Sequence, residues 1–555
     1  MKEETKSLYL AILASMLIIF GVNHFFPAEQ KVQAEAQATV EPAVVKIEQP
    51  KEISQQEFIS AKEIISTEKN IDIKNHDIKG SIRVKGARFD YVSLSKYKQS
   101  MEENSEDIEL LQPAETQNPY FAEFGWLSAT NNIKLPDSET LWNVIGNKLT
   151  PETPVTLEWD NGEGLKFIRT ISVDDNYLFS INQTVENNTQ NPIVLYPYGL
   201  ISRKMDMEQL KRSVVHEGFS GVIKGSLEEV KFSKLKDNES KSFETNNGWF
   251  GFSDRYWFTA IVLNNENTST VKISRNINDT FQADYRGKGI TIATGSAATN
   301  SVRFYAGAKE IKLLDKYTDE NNIEKFDLAV DFGWYYFLTK PFFYILDFLH
   351  NLIGNMGWAI LIFAALLRLV MLPVANASYA SMSKMKKIQP KVMAIQQLYK
   401  NDKIRLQQET MELYRKEKIN PAAGCLPMFI QIPVFFSLYK VLNIAIEIRH
   451  APFIGWIKDL SAPDPLTISV WSHIPLPSLL DIGIWPICMG LTMWFQQKLN
   501  PAPANKDQAR MFALMPFIFT LMLGHFASGL VIYWTLSNLL SIIQQKVIMK
   551  KYGVK

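Results

Sequence analysis

The sequence predicts a polytopic α-helical membrane protein with six transmembrane helices and a large β-sandwich domain outside the cytoplasm. Six apolar runs predict the helices, because most of them approach the length needed to cross a bilayer, although 511–523 is short for a span. A long, mostly polar stretch with strand-like alternation separates the first run from the others. The mean hydropathy of -0.09 averages these two parts and therefore describes neither.

The first apolar run is 7–26, and five more follow near the C-terminus, at 355–375, 424–446, 479–495, 511–523 and 527–548. A signal peptide usually has an apolar region of roughly 7 to 15 residues, which is shorter than the first run. We therefore expect 1–26 to be an uncleaved anchor rather than a cleaved signal. Gly524, Ser528 and Gly529 interrupt the last two runs, which predicts a tight helical hairpin.

Lysine and arginine counts in the loops predict the orientation of the spans. The 447–478 loop holds only Arg449 and Lys458. The 376–420 loop instead holds Lys384, Lys386, Lys387, Lys391, Lys400, Lys403, Arg405, Arg415, Lys416 and Lys418. The basic loop is therefore expected in the cytoplasm, with both termini on the same side and the β-rich part outside.

Composition and periodicity divide the outer part of the chain. Residues 27–60 are rich in Ala, Glu, Gln and Lys and predict a flexible tether. Within 61–330, Phe167, Arg169, Ile171 and Val173 alternate with more polar residues, and a turn at 174–176 precedes a second alternating run. This pattern indicates a β-hairpin. The alternation recurs at 302–306, and 256–263 is a continuous apolar strand candidate, so we predict a β-sandwich over 61–330.

Residues 331–354 are apolar enough for a seventh span, but three features favour another structure. Lys340, Asp347 and Asn351 share one helical face, Pro341 interrupts the run, and the segment begins with aromatic residues typical of a membrane interface. A seventh span would also invert every later loop. We therefore predict an amphipathic helix lying on the outer membrane surface.

Arg368 is the most informative residue, because it lies within the apolar run 355–375, which contains no acidic residue. An arginine at the centre of a membrane helix costs about 2.5 to 3.5 kcal/mol on insertion scales. Snorkelling is one explanation, although Arg368 would lie roughly 10 Å below the cytoplasmic end of the run. The other explanation is a hydrated site within the membrane. The predicted core helices hold no acidic partner, so we expect Arg368 to act through charge and hydration without a fixed partner.

Further polar residues accompany Arg368 in the predicted spans. Trp534, Asn538, Ser541 and Gln545 follow one stripe of the last helix, Gln431 lies in the third span, and Thr492 and Gln496 lie in the fourth. Such residues commonly join helices to one another. They could instead line a wet cavity with Arg368, as a substrate groove or as the anion site of a transporter or channel. Inverted repeats, the sign of a transporter, are not visible in the sequence.

The basic loop predicts a helical hairpin at 378–418. Its arms are 378–399 and 403–418, Asp402 is a candidate N-cap, and Asn420 and Pro421 end the second arm. The positive charge could simply follow the orientation rule for membrane loops. It could also contact ribosomal RNA, anionic lipid or nascent chains, with Lys384, Lys386, Lys387 and Lys391 as the candidate contacts.

Motifs for catalysis, metals or cofactors are not found in the sequence. Ser253 in GFSDR lacks the second glycine that a nucleophile elbow needs, and there is no phosphate-binding Gly-Lys loop or zinc-binding His/Glu pair. Cys425 and Cys488 both fall in predicted spans and are interpreted as packing residues. An enzyme is therefore the weaker hypothesis, and no cofactor is expected.

Four stretches resemble the YidC membrane protein insertases of Gram-negative bacteria. They are SMSKMKKIQPKVMAIQQLYKND, INPAAGCLPMFIQIPVFFSLYKVL, APFIGWIKDLSAPDP and MPFIFTLMLGHFASGLVIYWTLSNLLSIIQQ. The resemblance covers roughly 332–550, and the anchor, tether and β-rich domain resemble the long bacterial form. It implies a five-helix insertase core over 355–550, the cytoplasmic hairpin within it, and a short cytoplasmic tail at 551–555.

The resemblance also implies a function. Members of the family insert, fold and assemble inner-membrane proteins, alone or with the Sec translocon, through a hydrophilic groove that contains the arginine matched by Arg368. Expected partners are nascent membrane proteins, the Sec translocon, the ribosome and anionic lipid, with the protein working as a monomer. Three positions depart from the family pattern: Ala364 replaces a common threonine, Trp534 replaces a common tyrosine, and Gly424 stands alone where a glycine pair is usual.

Overall fold

The computed structural model describes residues 59–554, apart from 131, 208–215, 265–267, 277, 401, 421–425 and 502–505. The predicted anchor at 1–26 and most of the tether at 27–60 lie outside the described residues, as do Gly424 and Cys425. In the described chain, a β-rich part precedes a helical part.

The described strands form two sheets whose faces pack together. The strands are β1 Asn70–Lys74, β2 Ile78–Arg83, β3 Phe89–Lys98, β4 Asp107–Leu111, β5 Tyr120–Ser128, β6 Asn143–Ile145, β7 Lys148–Leu149, β8 Val155–Asp160, β9 Leu165–Val173, β10 Leu178–Asn187, β11 Ile193–Lys204, β12 Gly218–Ile223, β13 Ser226–Lys231, β14 Ser240–Thr245, β15 Gly248–Ser253, β16 Trp257–Leu263, β17 Ser269–Arg275, β18 Thr280–Gly287, β19 Ile290–Ile292 and β20 Ser296–Ala308. The first sheet has the order β14-β17-β18-β11-β5-β3-β2-β1-β7, with β4 beside β3 and β19 beside β11. The second has the order β13-β12-β15-β16-β20-β10-β9-β8-β6.

The predicted β-hairpin is confirmed as β9 and β10, which pair antiparallel from Phe179 opposite Val173. Every second residue of β9 is buried, as the alternation predicts. Rings from the two sheets meet in the core, where the Phe89 ring of the first sheet lies 5.3 Å from Phe179 and 5.4 Å from Phe304 of the second. The β-rich part is thus a sandwich built around an aromatic core.

The described helices are α1 Ala61–Thr67, α2 Ile311–Glu320, α3 Tyr336–Ile353, α4 Met356–Leu398, α5 Lys403–Lys416, α6 Leu426–Ile444, α7 Ile468–Ser472, α8 Ile484–Leu499, α9 Lys506–Leu523 and α10 Ser528–Lys551. Among the described residues, α4 is the one helix both long and apolar enough to span a membrane. Shorter apolar stretches occupy Phe429–Ile444 and Ala509–Leu523.

Two predicted boundaries were wrong. The apolar run at 355–375 and the first hairpin arm at 378–399 form one continuous helix, α4, because Pro373 and Pro390 lie inside it without ending it. The predicted span at 479–495 begins too early, since α8 starts at Ile484 after the N-cap Gly483. The second arm is confirmed as α5, and the Asp402 carboxylate caps it by accepting from the Arg405 amide.

The helix α3 is amphipathic as predicted, and its polar face meets the β-rich part. Lys340 Nζ lies 2.8 Å from an Asp315 carboxylate oxygen and 2.7 Å from one of Asp327, while Lys312 pairs with Asp347. Another face packs Phe342 and other apolar side chains into the core. Phe337, Phe348 and Leu352 remain exposed.

Several polar contacts join the β-rich part to the end of α6 and the turn after it. Arg255 Nε donates to the Asn443 carbonyl at 2.7 Å, and Lys440 Nζ pairs with Asp331 at 2.6 Å. In the turn after α6, Glu447 Oε1 accepts from the Ile311 amide at 3.2 Å, at the start of α2. We call this set of contacts the junction.

Glu447 is a titratable group of the junction with a buried carboxyl oxygen. Its Oε2 is buried without a hydrogen-bond partner among the described residues. Burial raises the pKa of the Glu447 carboxyl to about 7, and the carboxylates of Glu310 and Asp347 act in the same direction. Glu447 therefore retains its proton in the folded protein at a pH where it is ionised in the unfolded chain.

We expect the free energy of unfolding to fall as pH rises from about 4.5 to about 7, since only the folded state keeps the proton in that window. The slope from this one group is at most about 1.4 kcal/mol per pH unit. Glu447→Gln should flatten this pH dependence. At pH values above about 7, the variant should have a higher thermal unfolding midpoint than the wild type. Glu320→Gln, on the exposed end of α2, is the matched control. An unchanged pH dependence in Glu447→Gln would contradict the assignment.

Candidate functional site

Arg368 lies half-buried in the apolar part of α4 and has a neutral partner. Its Nη2 donates to the Tyr379 hydroxyl at 2.8 Å, and its guanidinium carbon lies 5.8 Å from the centre of the Tyr379 ring. Its Nε is buried and has no hydrogen-bond partner among the described residues. The positive charge is therefore held in place without being neutralised by these contacts.

The expectation that Arg368 has no fixed partner was wrong, because only acidic residues were considered as partners. Tyr379 is on the same helix and, at about 3.6 residues per turn, lies close to the same face three turns later. A straight helix would separate the two Cα atoms by roughly 16 Å, close to the combined reach of the side chains. Pro373 lies between them, and a proline bend would shorten this span.

Gln431 of α6 contributes the second polar contact on this side of the core. Its side-chain amide donates to the Tyr533 hydroxyl of α10 at 3.0 Å, and the Tyr533 side chain is buried. The positive charge of Arg368 lies near enough to act on the Tyr533 hydroxyl, so that proximity alone relates the two hydrogen-bonded pairs. The structure therefore brings Arg368, Tyr379, Gln431 and Tyr533 together from α4, α6 and α10. We call these four residues the arginine cluster.

The other predicted polar residues form direct or local contacts on a different side of α10. Asn538 donates to the Thr492 hydroxyl at 3.1 Å, and both side chains are buried between α10 and α8. Ser541 donates to the Ser537 carbonyl of its own helix, and the Gln545 side-chain amide donates to the Asn500 side-chain carbonyl. The Asn538 and Gln545 contacts are of the kind in which polar side chains join helices, whereas the Ser541 contact stays within α10.

Trp534 lies among aromatic rings and is not part of the arginine cluster. Its ring lies 4.7 Å from Phe435 in an edge arrangement and 6.3 Å from Phe519. The neighbouring Tyr533 provides the hydroxyl that contacts Gln431, so a hydroxyl remains next to the position that departs from the family pattern. Gln496 is half-buried one turn beyond Thr492 on α8, and Ala364 is buried one turn before Arg368.

Sequence reasoning missed Tyr379, Tyr533 and a third contact, the 2.7 Å hydrogen bond from Gln544 to Asn376 that joins α10 to α4. Tyr379 could have been predicted as a partner, because it lies close to the same helical face as Arg368, three turns later. Tyr533 and Gln544 each adjoin a residue of the predicted stripe. Whether a polar side chain points to α4 or to α8 depends on helix packing, which the sequence alone does not specify.

The four candidate lysines of the basic hairpin differ in their contacts. Lys384 and Lys387 are exposed and Lys386 is half-buried. Lys391 pairs with Glu417 at 2.7 Å across the hairpin, where Ile388, Val392 and Ile419 form a small apolar core. The lysines before Lys391 are therefore better placed than Lys391 to contact another molecule.

In the part of the chain that the structure describes, no group of three or more His, Cys, Asp or Glu side chains is placed to hold a metal ion. Ser253, considered above as a possible nucleophile, accepts a hydrogen bond from Lys309 at 3.1 Å, and both residues are buried. Their burial leaves a substrate no access to the Ser253 hydroxyl, so the contact is structural.

Comparisons with known proteins identify relatives over the whole chain. One family model, described as the YidC periplasmic domain, matches 70–345, and another, described as 60Kd inner membrane protein, matches 348–555. A protein of Beijerinckia indica named membrane protein insertase YidC is 44% identical over 100% of this chain and 97% of its own length. The chain belongs to the YidC family.

A second YidC relative, from Rickettsia bellii, is 42% identical over 99% of this chain and 100% of its own length. The structure also aligns with a solved structure titled active YidC insertase with the first transmembrane domain resolved, at a TM-score of 0.37 and 18% identity, over 86% of this chain and 92% of that chain. The resemblance seen in the four sequence stretches is confirmed, and the β-rich part corresponds to the YidC periplasmic domain.

The arginine cluster and the Thr492–Asn538 pair should differ in their access to water. We expect Arg368→Cys and Gln431→Cys to react with a small charged maleimide in permeabilised membranes at least about tenfold faster than Thr492→Cys and Asn538→Cys, because the latter two positions are sealed between helices. All variants are made with Cys425→Ser and Cys488→Ser. Leu539→Cys, exposed on the apolar outer face of α10, controls for contact with lipid. Equal rates at Gln431 and Asn538 would contradict the division.

Proposed function

We propose that this protein inserts, folds and assembles membrane proteins in the bacterial inner membrane, alone or with the Sec translocon. The observation that carries the proposal is the uncompensated charge of Arg368, held by a neutral hydroxyl within an apolar helix. The relatives in Beijerinckia indica and Rickettsia bellii are named membrane protein insertases, which supports the same function. The protein would act on transient substrates without covalent chemistry, and therefore not as an enzyme.

The proposed topology has six spans with both termini in the cytoplasm. The apolar part of α4 and the helices α6, α8, α9 and α10 would form the five-helix core, and 1–26 would form the additional anchor. The sandwich would lie in the periplasm, connected by the 27–60 tether, and α3 would lie on the outer surface of the membrane. The exposed Phe337, Phe348 and Leu352 of α3 support this last placement.

The arginine cluster suggests how insertion proceeds. A polar outer segment of a substrate would enter a groove between α4, α6 and α10, where Arg368, Gln431 and water reduce its desolvation cost. The apolar segment of the substrate would then move into lipid, which provides the driving force by burying apolar surface. The membrane potential would assist acidic segments by about 2.3 kcal/mol per charge per 100 mV.

Ribosomes, anionic lipid and nascent chains are the proposed partners of the basic hairpin, and a monomer would suffice for the groove. The exposure of Lys384 and Lys387 supports this role. Phosphate groups, on RNA or lipid, are the shared chemistry that such a surface recognises.

The first functional prediction concerns Arg368. Arg368→Lys should retain insertion of all substrates, because it retains the charge, whereas Arg368→Ala should reduce insertion of substrates with acidic outer segments by roughly tenfold or more. Tyr379→Phe removes the neutral hydrogen bond and should have a smaller effect, about threefold, from loss of orientation. Protease protection of the inserted substrate measures each variant.

Leu366→Ala, an exposed apolar position on the same helix, is the control for packing effects. Equal loss in Arg368→Lys and Arg368→Ala would show that the guanidinium makes a specific contact. Selective passage of small anions through reconstituted protein, abolished in Arg368→Ala, would favour the transporter or channel hypothesis instead.

The second functional prediction concerns the hairpin. Reversing Lys384, Lys386 and Lys387 to glutamate should weaken co-sedimentation with ribosomes at low salt, and wild-type binding should weaken as salt rises. Reversing Lys400, Lys403 and Arg405 to glutamate changes the net charge equally at the turn between the two arms, away from residues 384–387, and should have a smaller effect. If the two triple variants bind equally, net charge rather than a defined surface governs binding.

A further inference from the structure

The chain between α6 and α8 contains a segment of apolar surface whose role remains to be assigned. It covers residues 466–482, LTISVWSHIPLPSLLDI, which we call the outer loop, and it includes the short helix α7. Asp481 is its one acidic or basic residue apart from His473. Sequence analysis had placed 479–482 inside a span, whereas the structure places them before the start of α8.

Backbone contacts close the outer loop at its base. The Ile468 amide donates to the Ile482 carbonyl at 3.0 Å, and the Ile484 amide donates to the Leu466 carbonyl at 3.2 Å. The Asp481 carboxylate accepts from the Ser469 amide at 2.8 Å. The Asp481 carboxylate is thus engaged within the loop, where it helps to hold the shape of the loop.

Five large apolar side chains of the outer loop are exposed. The exposed fractions are 54% for Val470, 56% for Trp471, 60% for Ile474, 65% for Leu479 and 46% for Leu480. Full burial of each such side chain stabilises a protein by about 1.5 to 3 kcal/mol. Five of them on one short segment form an apolar surface of the kind that marks a binding site.

The contacts of the outer loop place it at the level of the ends of the core helices. The Ser478 carbonyl lies 2.8 Å from His525 Nε2, in the turn between α9 and α10. At its C-terminal end the loop leads through Gly483 directly into α8. In the proposed topology, these helix ends lie at the outer surface of the membrane.

We propose that the outer loop inserts Val470, Trp471, Ile474, Leu479 and Leu480 into the boundary between headgroups and acyl chains of the outer leaflet. Bilayer lipid is the occupant that the chemistry favours, because the surface is apolar, includes an interfacial tryptophan and lacks basic groups that would select an anionic partner. The proposal rests on the proposed topology. It makes the outer loop a second surface anchor in addition to α3.

The test measures the depth of single cysteines labelled with bimane. Trp471→Cys and Leu479→Cys, with Cys425→Ser and Cys488→Ser, are reconstituted in phosphatidylcholine vesicles that carry a doxyl group either near the headgroup or near the chain end. We expect the shallow doxyl to quench both positions at least about twofold more than the deep one, as for an interfacial segment. Val470→Cys repeats the measurement in case replacement of Trp471 disturbs the loop.

Two controls bracket the result. Leu141→Cys, an exposed apolar position of the sandwich, should be quenched by aqueous iodide and unaffected by either doxyl lipid, and Phe517→Cys, exposed on α9, should respond more to the deep doxyl. Quenching of the outer loop by iodide alone would overturn the proposal, and protection from both quenchers would indicate a protein partner and also overturn it.

The orientation of the protein in the vesicles tests the assignment to the outer leaflet without testing the proposed function. An impermeant maleimide should reach Leu141→Cys from the same side as the leaflet whose doxyl lipids quench the outer loop. If the two lie on opposite sides, the assignment to the outer leaflet is wrong. The quenching measurement does not depend on insertion activity. Its outcome would therefore be unchanged if the protein proved not to be an insertase.

Discussion

The charge of Arg368 is the constraint on which the arrangement of the helical core depends. A guanidinium within an apolar helix must be hydrated, paired or bonded, since its transfer from water without compensation is costly. The structure provides a hydroxyl from Tyr379 and leaves Nε without a hydrogen-bond partner among the described residues. A neutral partner fixes the position of the charge and keeps it available to water or to an acidic segment.

The remaining polar groups of the core divide according to the neighbour that each one faces. Gln431 and Tyr533 extend the surroundings of Arg368, whereas Asn538 and Thr492 bond to each other between α8 and α10. Polar residues on different faces of α10 therefore have different roles, because these faces meet different neighbouring helices. Trp534 belongs to neither region and packs its ring against Phe435 and Phe519.

Local patterns predicted the elements whose structure is decided locally. The β9–β10 hairpin followed from alternation and a polar turn, and the start of α5 followed from the capping carboxylate of Asp402. The helix α4 contains Pro373 and Pro390 and continues past both, so it joins the predicted span to the first hairpin arm. The apolar residues 479–482 were assigned to a span, since hydropathy does not distinguish a helix from a surface loop.

The site was predicted in part for the same reason. Arg368 and Gln431 were identified as polar residues in apolar runs, but Tyr379 and Tyr533 were not, because tyrosine is common in ordinary packing. Partners across helices depend on rotation and crossing angle, which arise from the packing of many side chains. The sequence therefore indicated which residues are unusual and not which of them meet.

The most direct test of the account is photo-crosslinking of a stalled nascent membrane protein from a probe at position 431 and from one at position 538. If Arg368, Gln431 and Tyr533 line the substrate groove, the probe at 431 should form adducts with the nascent chain and the probe at 538 should form few. Adducts at 538 with none at 431 would contradict the account, because substrate would then pass the side of α10 that faces α8.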